Sequence, residues 1–227
     1  SNRKSLKVLL VDPSFSTIGT GESQGDILTN AVTPLSVGYI GSYLKSKLPD
    51  IDVTILKASS EIVAFIAKEK PEVLGICNYL WNTNLAIRLS YYSREVNPET
   101  FIVFGGPEIN TKPVDRKSFI KKYLHADMLV HHEGEIAFTQ LMEIYLQEKR
   151  DVKKIRSRIN ELGNCFYIDE DGNFVIGPSI KRIDDLSVVP SPYLMGLFDH
   201  FLKKGCYIPL IQTNRGCPYA CTFCQEG

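Results

Sequence analysis

Five short apolar runs, each leading toward a segment with helical spacing, constrain this chain more than any other feature. The runs are residues 7–11, 53–56, 73–77, 101–104 and 128–130. Between and after them, apolar residues recur at the three- and four-residue steps of a helix, for example at 35, 39, 40, 43 and 44. The predicted helices cover 34–44, 60–69, 83–96, 119–124 and 135–148. The runs lack polar alternation, as strands covered on both faces do. Strand and helix in strict alternation predict an α/β fold with a doubly wound, five-stranded parallel sheet. Past residue 150 the pattern changes. Lys153, Lys154, Arg156 and Arg158 form a basic run, read as a solvated helix face or connector. Residues 165–168 and 173–176 flank Asp171-Gly172 and predict a hairpin. Pro190 and Pro192 mark an extended linker, and 208–213 read as a further strand. The boundaries expected are 1–150 for the sheet domain, 151–200 for hairpin and linker, and 201–227 for the start of a second, truncated domain.

Composition narrows the function. Lys and Arg total 26, as do Asp and Glu, so the formal charge is zero. A protein that grips a nucleic-acid backbone carries a basic excess, so nucleic acid is not an expected partner. No apolar run approaches the about 18–20 residues of a bilayer span. Six cysteines stand at 77, 165, 206, 217, 221 and 224, three of them within eight residues. A secreted disulfide framework would spread them more evenly. The clustering points to metal ligation in a reducing cytoplasm.

Cys217, Cys221 and Cys224 form a Cys-x3-Cys-x2-Cys run. Three thiolates on one tight loop can hold three corners of a cubane iron–sulfur cluster and leave one iron open to a small molecule. A structural zinc site would need a fourth ligand, for which Cys206 or His200 is available. In a doubly wound sheet, ligands bind beyond the carboxyl ends of the strands. The segments there are 12–33, 78–84, 105–108 and 131–135. No Gly-x-Gly-x-x-Gly follows the first strand, which disfavours a dinucleotide site. Gly105 and Gly106 permit close backbone approach to a ligand, and Gly134, ahead of a helix start at Glu135, offers free N–H groups. His131 and His132 leave a strand in succession and should point to opposite sides. They are expected to chelate a metal poorly and to serve rather as polar contacts. Cys77 and Cys165 read as small core residues. Trp81, the one tryptophan, is either core or a stacking surface.

The cysteine run, preceded by Arg215-Gly216 and with Phe223 before its last cysteine, resembles the signature loop of the radical S-adenosylmethionine enzymes. That resemblance implies a four-iron four-sulfur (4Fe-4S) cluster on Cys217, Cys221 and Cys224. It implies S-adenosylmethionine on the open iron with Phe223 against its adenine. A 5′-deoxyadenosyl radical would form by one-electron cleavage, the electron coming from a donor such as a flavodoxin or ferredoxin. The front half resembles the cobalamin-binding, Rossmann-like domain that precedes many radical S-adenosylmethionine barrels. The matching pieces are residues 9–13, 34–39, 75–82, 103–108 and 133–135, with 183–186 and 190–193 as connector. Implied cobalamin contacts are Tyr79, Leu80, Trp81, Asn82, Gly105, Gly106, Pro107, Glu108, Glu133, Gly134 and Glu135. Related domains place a cobalt-ligating His in Asp-x-His-x-x-Gly after the first strand. Here that place reads Asp12-Pro13-Ser14-Phe15-Ser16-Thr17. The implied mode is cobalamin without a histidine ligand, its lower face over Tyr79–Trp81, from which methyl leaves more readily as a cation equivalent.

The two resemblances together imply the N-terminal part of an enzyme that methylates an unactivated carbon of a small molecule or peptide. No residue here is assigned a catalytic role of its own. Residues 1–227 alone are expected to bind cobalamin without turnover. The alternatives are a cobalamin-dependent radical rearrangement, a methylthiotransferase, and a non-catalytic cobalamin-binding module.

Overall fold

The computed structural model describes residues 5–14 and 31–216. The elements in chain order are β1 (Lys7–Ser14), α1 (Leu35–Lys47), β2 (Asp52–Ala58), α2 (Ser59–Glu69), β3 (Val73–Cys77), α3 (Thr83–Val96) and β4 (Phe101–Gly105). They continue as α4 (Arg116–Lys122), β5 (Met128–Val130), α5 (Glu135–Gln147), α6 (Val152–Ser157), β6 (Cys165–Ile168), β7 (Phe174–Ile176) and α7 (Asp199–Lys203). The sheet order is β2-β1-β3-β4-β5-β6-β7. The first five strands are parallel, as the alternation predicted. The chain crosses from one side of β1 to the other between β2 and β3, so the switch point lies between β1 and β3.

Period-two alternation divides the strand side chains between two cores. Leu10, Val73, Val103, Met128 and Val130 face α1 and α5. Leu9, Val11, Leu74, Ile102, Phe104 and Leu129 face α2, α3 and α4. Both faces are therefore dry, which is why these strands tolerate no polar alternation.

The structure departs from the expectation in three places. The predicted hairpin is not a separate connector. β6 pairs antiparallel with β5, and β7 with β6, so the sheet has seven strands. The reason is the edge of β5, whose open N–H and C=O groups need partners. Phe166 on β6 is fully buried in the same core as Phe104 and Phe119. Second, residues 208–213 form no strand. A single parallel bridge joins Ile208 to Val32. Pro209 lacks an N–H, and among the described residues only 31–33 run alongside. Third, the stretch read as linker is packed. Phe198 and Phe201, beside and within the unforeseen α7, are fully buried. A methyl group on Gly38 of α1 would lie 2.2 Å from Phe198 Cζ, so α1 and this segment are in intimate contact.

The basic run is a capped helix. Asp151 accepts from the amides of Lys153 and Lys154, and Ile155 is buried. Arg156 turns back to the sheet, where its Nε and Nη2 donate to Asp127 O at 3.2 and 2.9 Å. Cys77 and Cys165 are core residues as expected, and burial pushes each thiol up to about 12.

Candidate cofactor cleft

A cleft of about 880 Å³ opens at the carboxyl edge of the parallel strands. Its floor is apolar: Leu10, Gly75, Cys77, Val103 and Val130, contributed by β1, β3, β4 and β5. The first turns of α1 and the start of α5 form two walls, and residues 210–216 cross its mouth. A crevice at this edge is where a doubly wound sheet places a ligand, and the volume is within the range of ligand pockets, about 300–1,000 Å³.

Two absent side chains shape the cleft. A Cβ on Gly75 would lie 2.6 Å from Leu10 Cδ2 and 3.4 Å from Phe138 Cε2. Glycine in a strand interior marks a close approach, and here it keeps the floor low. A Cβ on Gly105 would meet nothing nearer than 3.7 Å. Packing does not demand glycine there, so the open space is free for a ligand. Gly106 differs. Its φ is 98°, and a Cβ would sit 2.6 Å from the Asn78 carbonyl oxygen. Its own neighbour requires glycine at that position. Gly134 packs against Ile40 of α1, and its helix begins with no side-chain cap on the free N–H groups.

The turn after β3 is held from beneath. Asn82 Oδ1 accepts from Tyr79 N at 2.8 Å, and Asn82 Nδ2 donates to Cys77 O at 3.2 Å and Asp12 Oδ1 at 3.3 Å. Asp12 in turn pairs with Lys57 Nζ at 3.1 Å, and the Lys57 side chain is only 3% exposed. Burial raises the Asp12 carboxyl despite this cation. At the top of the turn, Tyr79 and Trp81 stack with ring centroids 4.6 Å apart and planes 9° apart. Tyr79 Oη donates to Ser36 Oγ at 3.3 Å, and Ser36 Oγ lies 3.5 Å from Cys77 Sγ. Leu80 and Trp81 stand out from the protein, 77% and 62% exposed. Trp81 is thus not core.

Of the residues singled out from sequence, Tyr79, Gly105, Gly106, Pro107, Glu133, Gly134 and Glu135 come together in the cleft lining. Leu80, Trp81, Asn82 and Glu108 lie outside it; Asn82 shapes the turn, and the Glu108 amide donates to Asn78 O at 3.3 Å. Cys217, Cys221, Cys224 and Phe223 lie outside the described residues, as does most of 12–33. Sequence reasoning assigned no role in the cleft to Gly75, Arg182 or Arg215. The signals were a glycine inside an apolar strand and an arginine two places before the first cysteine.

The histidine pair differs from expectation. His132 adopts a left-handed φ of 59°, which brings the two rings to 4.5 Å between centroids instead of sending them apart. His131 is buried, its Nε2 has no partner among the described residues, and desolvation together with His132 lowers its pKa to about 4. It is therefore neutral near pH 7. Among the described residues no three His, Cys, Asp or Glu side chains are grouped to hold a metal. None of the described helices is long and apolar enough to cross a membrane.

Fold and cleft together define a doubly wound cofactor-binding domain whose ligand would lie across the switch-point edge. The B12 binding domain model matches residues 28–142, half of the chain, and the chain belongs to that family. Among curated proteins it is similar to the cobalamin-dependent radical SAM methyltransferase TokK of Streptomyces tokunonensis, 32% identical over 163 residues. That match covers 70% of this chain and 22% of TokK. It is also similar to an uncharacterized methyltransferase of Pyrococcus horikoshii, 26% identical over 98% of this chain and 46% of that protein. Among solved structures it resembles the cobalamin-dependent S-adenosylmethionine radical enzyme OxsB with aqua-cobalamin and S-adenosylmethionine bound. The TM-score is 0.66 at 20% identity, covering 96% of this chain and 28% of OxsB, which is a likeness of fold. The chain thus spans less than half the length of these relatives.

Proposed function

We propose that this chain is the cobalamin-binding portion, with the cluster-binding loop, of a radical S-adenosylmethionine methyltransferase acting on an unactivated carbon. One observation carries the reading. The cleft that suits a corrinoid is crossed by residues 210–216, and the next residue is Cys217. The residues present fit a flat macrocycle with a polar rim: an apolar floor kept low by Gly75, open space at Gly105, and at the edge a neutral His131 with no Nε2 partner among the described residues. Cobalamin and a cluster with S-adenosylmethionine, when bound, supply the methyl group and the radical that opens the C–H bond.

The chain's own residues bind and orient. Tyr79, Gly105, Gly106, Pro107, Glu133, Gly134 and Glu135 line the corrinoid site. Tyr79 would meet the corrinoid from within the cleft and Leu80 and Trp81 from the exposed top of the same turn, none of them bringing an imidazole, and the turn is held by Asn82, Asp12 and Lys57. Cys217, Cys221 and Cys224 would hold the cluster, with Phe223 against adenine. An electron donor of the flavodoxin or ferredoxin kind, and a small-molecule or peptide substrate, complete the assignment. A methylthiotransferase would need further cluster cysteines in this half. Cys77 and Cys165 are both buried in apolar cores, which makes them poor candidates.

The test is to load the protein with hydroxocobalamin, desalt it and record the absorption spectrum. Retained corrinoid at about one per chain, with a spectrum lacking nitrogen ligation from below, is expected. Loss of all corrinoid on desalting would overturn the reading, and a nitrogen-ligated cobalt would overturn the histidine-free mode.

A further inference from the structure

Residues 210–216 are held across the cleft at two ends. At one end the Leu210 amide lies 2.9 Å from Tyr193 Oη and 3.1 Å from Thr33 Oγ1, while Tyr193 Oη donates to Leu210 O at 2.8 Å. At the other end stands Arg215. Its Nη1 donates to Glu135 Oε2 at 3.3 Å and its Nη2 to Glu135 Oε1, a two-pronged contact. Arg215 Nη1 is also 3.5 Å from Glu133 Oε2. The guanidinium lies 5.8 Å from the Tyr39 ring centroid. Between the two ends, among the described residues, only the weak Tyr39 Oη contact to Gln212 O, 3.5 Å, ties the backbone to the cleft walls.

This is more than a surface ion pair. The Arg215 side chain is 12% exposed and that of Glu135 is 6% exposed. Removing one member of such a pair strands the other charge out of water. The base of the clamp is rigid. Glu135 opens α5, whose Ala137, Phe138, Leu141 and Met142 are buried. Glu133 is fixed in turn by Ile183 N, which donates to it at 2.8 Å, and by Arg182 Nε at 3.5 Å. A planar guanidinium gripped at two oxygens fixes orientation as well as distance, which a lysine cannot do.

We propose that Glu133 and Glu135 are positioning residues for the cysteine loop. By gripping Arg215 they set the height and direction of the chain at Gly216, the residue before the cysteine run. The clamp thereby couples the position of one cofactor to that of the other, an inference that rests on the function proposed above. Sequence resemblance placed these glutamates among cofactor contacts, and the two roles give different results in one experiment.

The full-length protein, with Glu135→Gln, Arg215→Lys and the reversed pair Glu135→Arg/Arg215→Glu, is examined in two ways. Limited digestion with thermolysin, read as the rate of cutting before the exposed Ile211, needs neither cofactor. That cut should form at least about tenfold faster in both single variants, given the cost of breaking a buried pair, with partial recovery in the reversed pair. After loading with hydroxocobalamin, iron and sulfide, then reduction, pulsed electron-spin measurement gives the distance between Co(II) and the cluster. That distribution should broaden in the single variants while iron content holds. An unchanged cutting rate overturns the proposal, and an unchanged cutting rate with weakened corrinoid binding assigns the glutamates to the cofactor instead. If the parent protein retains no corrinoid, the proposed function falls while the digestion result still judges the clamp.

Discussion

Replacing Gly75 by valine should weaken corrinoid binding as well as the fold. Gly75 lies in β3 at a negative φ, so the backbone accepts a β-branched residue. The new Cβ would sit 2.6 Å from Leu10 Cδ2 and 3.4 Å from Phe138 Cε2. Leu10 must move, and its methyl is the far end of a side chain that can turn. Overpacking of this kind costs about 1–3 kcal/mol of stability. With Leu10 and Phe138 on its flanks, the isopropyl group has only the cleft to enter, and it raises the floor beneath the ligand. A floor raised by one methyl-sized step should cost at least about tenfold in Kd, about 1.4 kcal/mol. The assay is an absorbance titration with hydroxocobalamin beside a urea melt. Ile62→Val is the control; Ile62 is fully buried in the opposite core, and its truncation costs about 0.5–1.5 kcal/mol. It should lower stability and leave Kd alone. A Gly75→Val protein that melts earlier yet binds corrinoid like the parent would refute the assignment of this cleft.

Three further outcomes follow from the same geometry. Asn82→Ala removes the acceptor of the Tyr79 amide and the donor to Asp12 and Cys77, so it should cost about 1–3 kcal/mol; Trp81, the one tryptophan, should report the loosened turn as a change in fluorescence. His131 is neutral in the fold, with a pKa near 4 against 6.5 unfolded, so the unfolded chain binds the extra proton between these values. Stability from this group is full above pH 6.5 and falls as pH drops toward 4, by about 2 kcal/mol at pH 5. Urea midpoints at pH 7 and 5 should show that slope, and His131→Gln should flatten it; an unaltered slope would exclude His131 as its source. Alkylation of the folded protein at pH 8 followed by peptide mapping should label the half-exposed Cys206 and spare Cys77 and Cys165, whose burial pushes their thiols up to about 12.

Much of the cleft was legible because its parts sit at the ends of strands. Once β3, β4 and β5 are recognised, parallel pairing brings Tyr79, Gly105, Gly106 and Glu133–Glu135 to one edge. The roles within that edge were less legible. Gly106 and Gly105 are indistinguishable as letters, yet a backbone neighbour makes one obligatory and leaves the other free. Asn82 read as a ligand contact, whereas its side chain closes the turn on Asp12 and Cys77. The divergence expected of His131 and His132 assumed that the strand continued, and the left-handed His132 ends it.

By itself, the sequence determined the layered α/β architecture, the two dry cores and the three clustered thiols. These depend on local periodicity and spacing, which a chain carries in its order of residues. Only the tertiary structure decided that the hairpin joins β5, that Phe198 and Phe201 anchor the supposed linker, and that Arg215 reaches Glu133 and Glu135. Such contacts join residues far apart in sequence, 80 positions in the case of Arg215 and Glu135. Their partners are chosen by which edges and charges remain unsatisfied after the sheet has formed, and no local pattern records that choice.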